Sequence, residues 1–323
     1  MNSPFLRHVF IALSAAAIIG AGSLHAQSYP AKPITVVIPF GAGSGTDQVA
    51  RAMAKAMAEE LPGAVLVMDY KPGASGSIAA RAVAQAPADG YTLMMTTNTT
   101  QSANPHLFRK LSYDPVNDFA PVAALARGSM VLTVPASSTI DSVAKFIAAA
   151  RANPLNVGAG NSSSRVALEM FKQMTGAKLV YVPYKANPQA VTDLVGGQID
   201  AMFADTATAL PLVNAGRLRA LAYAAQERSW ALPSLPTLDE SGVKGFALYY
   251  WVAVYAPRAT PPDIVNRLNE AFSRSARSET VKPTFTQAVL DVFTTSPGGL
   301  AEFQRVETEK WGRVIKAAGI EPE

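Results

Sequence analysis

Three short stretches carry residue types that could do chemistry, and the chemistry they suit is anion capture. The first is Phe40-Gly41-Ala42-Gly43-Ser44-Gly45-Thr46-Asp47, the second residues 72–77, and the third Gly158-Ala159-Gly160-Asn161-Ser162-Ser163-Ser164. Each precedes a helix-period segment. Glycine lets the backbone turn tightly, and the first amides of the following helix lack intrahelical acceptors and point outward, backed by the positive end of the dipole. Thr46 is the candidate N-cap of the first helix. The glycines at 41, 43 and 45 miss the 41-43-46 spacing of a dinucleotide fingerprint, and no Gly-Lys-Ser/Thr follows to make a P-loop. One such turn is also the ordinary way α/β units connect. Three of them, set at the carboxyl ends of strands where ligands bind, favour a site that clamps a carboxylate from both sides.

Two charged residues stand beside these turns. Arg165 sits in the first turn of a helix, where a cation faces the positive dipole end, so it either grips a carboxylate bidentately or extends into solvent. Asp205 ends a strand; it either reaches the cleft to accept from an ammonium, hydroxyl or water, or caps the next helix. Tyr184, Phe203, Tyr249, Tyr250 and Trp251 are wall or core, with core favoured for most.

Composition removes most enzyme classes. The 323 residues are 49% apolar and 16% charged, with no cysteine and three histidines. Residues 1–26 have the charged start, apolar run and small-residue end of a secretory signal peptide, too short for a comfortable transmembrane helix. Two histidines, His8 and His25, fall within it, leaving His106 alone. Thiol nucleophiles, Cys-rich or His-pair metal sites and lipid attachment are thereby excluded. No G-x-S-x-G turn supplies a serine nucleophile. Without the leader the net charge is +3, with no basic stripe for nucleic acid.

The elements that must hold the three turns alternate. An apolar strand at 34–40 leads into a helix carrying Val49, Met53, Met57 and Leu61 at four-residue spacing. Strands at 64–68 and 91–96 follow, with an Ala-rich helix between them. A second series begins near Met130: strands at 131–134, 155–158, 179–182, 199–203 and 218–223, with helices at 143–152, 166–175 and 189–195. An extended aromatic stretch spans 246–255, and a further helix starts after Pro261. The pattern predicts an α/β protein of two lobes, each a mainly parallel sheet flanked by helices, joined by two crossing strands. Lobe 1 is expected at 27–130 plus 252–323, and lobe 2 at 131–251.

In this order, a set of modest motifs resembles the substrate-binding proteins of tripartite tricarboxylate transporters, the Bug receptors. They are Tyr29-Pro30-x-Lys32-Pro33-Ile34, Val37-Ile38-Pro39-Phe40 with Gly43 and Thr46-Asp47, and Lys71-Pro72-Gly73-Ala74-x-Gly76. Next come Asp89-Gly90-Tyr91-Thr92-Leu93, Tyr113-Asp114-Pro115-x-x-Asp118-Phe119 and Val182-Pro183-Tyr184-Lys185. Asp193-Leu194-x-Gly196-Gly197-Gln198-x-Asp200 and Ala318-Gly319-Ile320-x-Pro322 complete the set.

The resemblance implies a type II, two-lobed periplasmic binding protein that closes on a small organic acid and delivers it to a membrane permease. It implies no catalysis and no cofactor or metal; we expect a monomer. It carries over as ligand contacts Phe40, Gly41, Ala42, Gly43, Ser44, Thr46 and Asp47 from the first turn, and Ala74, Ser75 and Gly76 from the second. The third turn contributes Asn161, Ser162, Ser163, Ser164 and Arg165; Tyr184 and Asp205, candidates from the residues themselves, complete the expected site. Three departures stand out: Tyr70-Lys71 where the family more often has Asn-Arg, Ala186 for a glycine, and Arg165 for a histidine. The fixed charge of Arg165 implies a second carboxylate on the ligand. An amino-acid or hydroxy-acid receptor using Asp205 is the alternative, and a secreted α/β hydrolase using Ser163 or Asp205 with His106 is the rival from another class.

Overall fold

The computed structural model describes residues 29–323; the leader read at 1–26 lies outside them. Ten strands form one curled, mixed sheet in the order β2-β1-β3-β9-β4-β7-β5-β6, with β8 and β10 also pairing with β4. The strands are β1 Ile34–Ile38, β2 Leu66–Tyr70, β3 Thr92–Thr97, β4 Phe119–Pro135 and β5 Leu155–Ala159, then β6 Leu179–Pro183, β7 Ala201–Asp205, β8 Leu218–Tyr223, β9 Tyr249–Pro257 and β10 Asp291–Val292. Two parallel blocks, β2-β1-β3 and β7-β5-β6, lie towards the two ends of this order. Between them all pairing is antiparallel.

β4 is the shared element. Its first part, Phe119 to Ser129, pairs with β9, and from Met130 onward its partners are β7 and β8. The apolar pattern marks only residues 131–134 of it as strand. The first part is hidden in the sequence because it contains Pro121 and Gly128, both poor strand residues. The structure accommodates Pro121 at a register shift against β9. Gly128 is needed for space, since a Cβ there would lie 2.7 Å from Leu290 Cδ2.

The helices are α1 Gly45–Glu60, α2 Ser77–Ala84, α3 Asn104–Leu107, α4 Val143–Ala152, α5 Ser162–Thr175 and α6 Asn187–Val195. They continue with α7 Thr206–Asn214, α8 Pro262–Ala276, α9 Lys282–Ala288 and α10 Pro297–Ala317; a 3-10 turn occupies Ala74–Gly76 and a π-turn Thr99–Ala103. α1 buries Val49, Met53 and Met57, as its four-residue stripe requires. In the second half Phe171 of α5 packs edge-on to Phe146 and Phe246, and Phe203 of β7 stacks on Phe246. Phe203 and Trp251 are therefore core, fully withdrawn from solvent. Two long helices, α1 and α5, thus rest their apolar stripes on opposite halves of the sheet, and each begins directly after the carboxyl end of a parallel strand.

Candidate functional site

α1 begins two residues earlier than the candidate cap Thr46 implies. Its cap is Ser44, whose Oγ accepts from Asp47 N, and Thr46 lies inside the first turn. Asp47 answers by accepting from Gly43 N through Oδ2 at 2.8 Å, a reciprocal arrangement that shuts the turn on itself. Asp47 Oδ1 also holds Arg51 Nε at 2.9 Å and the Tyr70 hydroxyl at 2.6 Å. Asp47 is thus a buried organiser of the loop, and Tyr70 takes a defined part in it. The amides of Gly45 and Thr46 are left without the intrahelical acceptor that later residues have.

α5 repeats the device from the other half. Asn161 caps it, with Oδ1 accepting from Ser164 N at 2.9 Å. The first-turn amides of Ser162 and Ser163 remain. Gly160 is indispensable before it, because a Cβ there would fall 2.2 Å from the carbonyl carbon of Ala186.

Both helix starts open onto one small cavity that is partly open to solvent. Phe40, Ser44, Gly45, Thr46 and Thr97 line it from the first half, and Asn161, Ser163, Asn187 and Asp205 from the second. Met130 and Tyr250 close it where β4 changes partners. Asp205 is both things the sequence left open, an α7 cap and a cavity wall. Its Oδ1 accepts from Thr208 N and Thr208 Oγ1 at 3.0 and 2.6 Å, and its Oδ2 from Asn187 Nδ2 at 3.1 Å. A carboxylate has about four acceptor positions, so one remains for a donor in the cavity. The Tyr250 hydroxyl is buried with no hydrogen-bond partner. Burial, and next the Asp205 charge, push its ionisation far up, so it is a neutral donor.

Several sequence-derived candidates lie elsewhere. Arg165 does not line the cavity: its Nη2 meets Glu323 Oε1 at 2.7 Å and its guanidinium lies over the Tyr181 ring. A helix residue's number places it in the first turn without fixing which way a long side chain runs. Tyr184 turns away to donate to Asp193 Oδ2 at 2.7 Å. Gly41, Ala42, Gly43 and Asp47 shape the first turn from behind the cavity, and Ser162 and Ser164 are engaged behind the second wall.

The turn Ala74-Ser75-Gly76 also stays outside. It reaches the site at one remove: Asn104 Nδ2 donates to Ser75 O at 2.9 Å, and Asn104 Oδ1 accepts from Ser162 Oγ at 2.8 Å. Asn98 Nδ2 likewise donates to Ser163 Oγ at 2.9 Å. Thr96 to Ser102 and Asn104 are buried almost completely, although Thr96-Thr97-Asn98-Thr99-Thr100-Gln101-Ser102 is an unbroken polar run. A π-turn packed under a site is the feature sequence patterning misses here. Asn187, which donates to Asp205 and accepts from Gly160 N, is the other.

Catalytic alternatives lose their base. His106 Nε2 is taken up by Thr308 O at 2.9 Å, and the ring is packed against Gly312. Among the described residues no group of three or more His, Cys, Asp or Glu could hold a metal ion, and no helix is long and apolar enough to cross a membrane.

A family model described as the tripartite tricarboxylate transporter family receptor matches residues 49–320. The protein BugT of Bordetella pertussis is 32% identical over 304 residues, covering 93% of each chain. The periplasmic binding protein BugD superposes with a TM-score of 0.87 at 28% identity, covering 91% of this chain and all of that one. A protein of R. palustris with adipate gives 0.87 at 35% identity, again covering 91% of this chain and all of the other. MatC of Rhodopseudomonas palustris with bound malate gives 0.84 at 32%, covering 89% and 100%. The chain belongs to the tripartite tricarboxylate transporter receptor family: it is a solute-binding receptor of the Bug type, and its family is one of periplasmic binding proteins, not enzymes.

Proposed function

We propose that this receptor captures a small dicarboxylate in the cavity between α1 and α5 by closing one lobe on the other, and presents it to a membrane permease. One observation carries the reading: two helix starts, from opposite halves of the sheet, aim their first-turn amides into the same space. Charge-assisted hydrogen bonds from backbone amides are worth about 1.5–3 kcal/mol each. The relatives with adipate and malate support a dicarboxylate. The lobes of the proposal are 27–130 with 252–323, and 131–251, meeting where β4 exchanges β9 for β7. Residues 1–26 serve as the leader that directs the chain to the periplasm.

Asp205 favours a second reading within the same class. Its one open acceptor position and its companion Asn187 suit a hydroxyl or ammonium beside the carboxylate, so a hydroxy-acid or amino-acid ligand satisfies the wall better than a plain chain does. A calorimetric and thermal-shift panel decides the matter. Dicarboxylates with and without a 2-hydroxyl or 2-amino group, and their monocarboxylate analogues, are titrated into the protein. Binding by mass action raises the melting temperature. A panel in which no organic acid binds removes the proposal; a preference for substituted acids selects the second reading.

A further inference from the structure

We infer that Arg165 and Glu323 form a latch that holds the two lobes shut from outside the cavity. The inference rests on the proposed closure, but it concerns residues that do not line the cavity. Arg165 belongs to the second half, in the first turn of α5, where the helix dipole disfavours a cation. Its side chain is 16% exposed and its Nε is buried without a partner. The single carboxylate it meets comes from the other half of the molecule. Glu323 belongs to the tail that follows α10, and that tail is fastened to the first half. Arg109 N donates to Glu323 O at 2.7 Å, Glu323 N to Leu107 O at 2.9 Å, and Arg109 Nε to Pro322 O at 3.1 Å. Ile320 packs into the core just before it.

The pair therefore joins an anchored strap on one lobe to the helix whose start forms the opposite wall of the cavity. Separation of the lobes would part the two side chains and leave a poorly hydrated guanidinium at a positive helix end. The pair thereby favours the closed form, and its contribution should fall as salt screens the half-exposed carboxylate. Since Arg165 follows Ser163 by two residues, the latch also fixes the ligand-facing turn of α5 once the cleft has shut.

The chain has no cysteine, so Val67→Cys on edge strand β2 and Val180→Cys on edge strand β6 give two unique, exposed label positions at opposite ends of the sheet. Spin-label distances between them are measured in full-length protein, without solute and with adipate or malate, in low salt and in about 1 M salt, where the Debye length is about 3 Å. The latch predicts that solute-free Glu323→Gln and Arg165→Gln shift towards longer distances at low salt and lose the salt response. Arg165→Lys should keep part of both. Affinity for whichever acid binds should weaken up to about fivefold in the Gln variants. Distances and salt response identical to the parent's, in Glu323→Gln above all because that side chain is exposed, overturn the latch. If neither salt nor solute moves the distances in any variant, closure itself fails. If solute shortens them equally in parent and variants, closure survives and only the latch is lost.

Discussion

Gly45→Ala should uncouple ligand affinity from the stability of the ligand-free protein, in opposite directions. Gly45 is the first residue of α1, and its backbone φ is not in the left-handed region, so alanine fits its conformation. Within its own half the change should be neutral or stabilising, by about 0.4–1 kcal/mol, because alanine restricts the unfolded chain and suits a helix. Across the cleft it should clash. An added Cβ would lie 2.8 Å from Asp205 Oδ1 and 3.3 Å from Ala207 Cβ, both in the other half. Asp205 has little room to retreat, being tied to Thr208 and Asn187. Relief needs a separation of roughly 0.5 Å, and overpacking of that kind costs about 1–3 kcal/mol. If the cost falls on the closed form alone, Kd rises about 5- to 150-fold while the ligand-free melting temperature holds or rises slightly. Calorimetry gives the first quantity, differential scanning the second, and small-angle scattering reports whether saturating ligand still compacts the variant. An unchanged Kd, or a ligand-free melting temperature that drops by the full cost, would refute the reasoning. The second outcome would mean that the two halves are in contact whether or not ligand is present.

Three further outcomes follow from the same geometry. Asp205→Asn keeps one side-chain oxygen to cap α7 but removes the charge and half of the acceptors, so it should tighten or spare adipate and weaken malate by about tenfold, read by parallel titrations. Parallel losses for both acids would show that Asp205 acts only as a cap. Asp47→Ala should lower stability by about 1–3 kcal/mol and weaken binding although Asp47 does not line the cavity, because Gly43 N and the Tyr70 hydroxyl lose their acceptor and Arg51 its ion-pair partner. Retained affinity in a folded variant would separate loop order from binding. Alkaline pH should destabilise the protein from about pH 10 upward. Burial raises the ionisation of Tyr113, Tyr223, Tyr250 and Tyr255, and burial with the Asp193 hydrogen bond pushes Tyr184 up to about 12. These tyrosines keep their protons after the unfolded chain has begun to lose them. Their stabilisation is thus complete below the unfolded value and declines as pH rises through the range above it. Melting curves across that range check the sign; a flat profile would contradict it.

The sequence exposes those parts of the molecule in which one residue type meets one physical demand. The α1 stripe is legible because Val49, Met53 and Met57 recur at helix spacing, and the two cavity-lining turns because glycine followed by a capping residue marks the start of a helix after a strand. What stays hidden depends on partners distant in the chain. Ser44 and Thr46 are equivalent as cap types, and only the hydrogen bond to Asp47 N selects Ser44. The stretch 96–102 is polar throughout and gives no sign of burial; it is buried in part because Asn98 and the following Asn104 find Ser163 and Ser162 in the other half. Arg165 is visible as a cation at an unfavourable place, but its partner, Glu323, is unremarkable in the sequence. The turn at 74–76 looks like the other two and acts through Asn104 instead.

That relay bears on how a cavity without a fixed cation can be selective. Helix-start amides are positioned by backbone alone, so their strength for an anion varies little among acids. The discriminating elements must be those that decide whether the cleft closes fully. Asn98, Asn104 and Gln48 make hydrogen bonds across it, to Ser163 and Ser162 and, from Gln48 Nε2, to Ala207 O at 3.0 Å. Each is satisfied only at one separation of the halves. A solute too long to fit leaves the buried amides of Asn98 and Asn104 short of their hydroxyls, and unmade buried hydrogen bonds cost about 1–3 kcal/mol each. A solute too short forgoes its own contacts while the walls meet. Under the proposed function, length selection arises from the closure surface and charge selection from the helix starts.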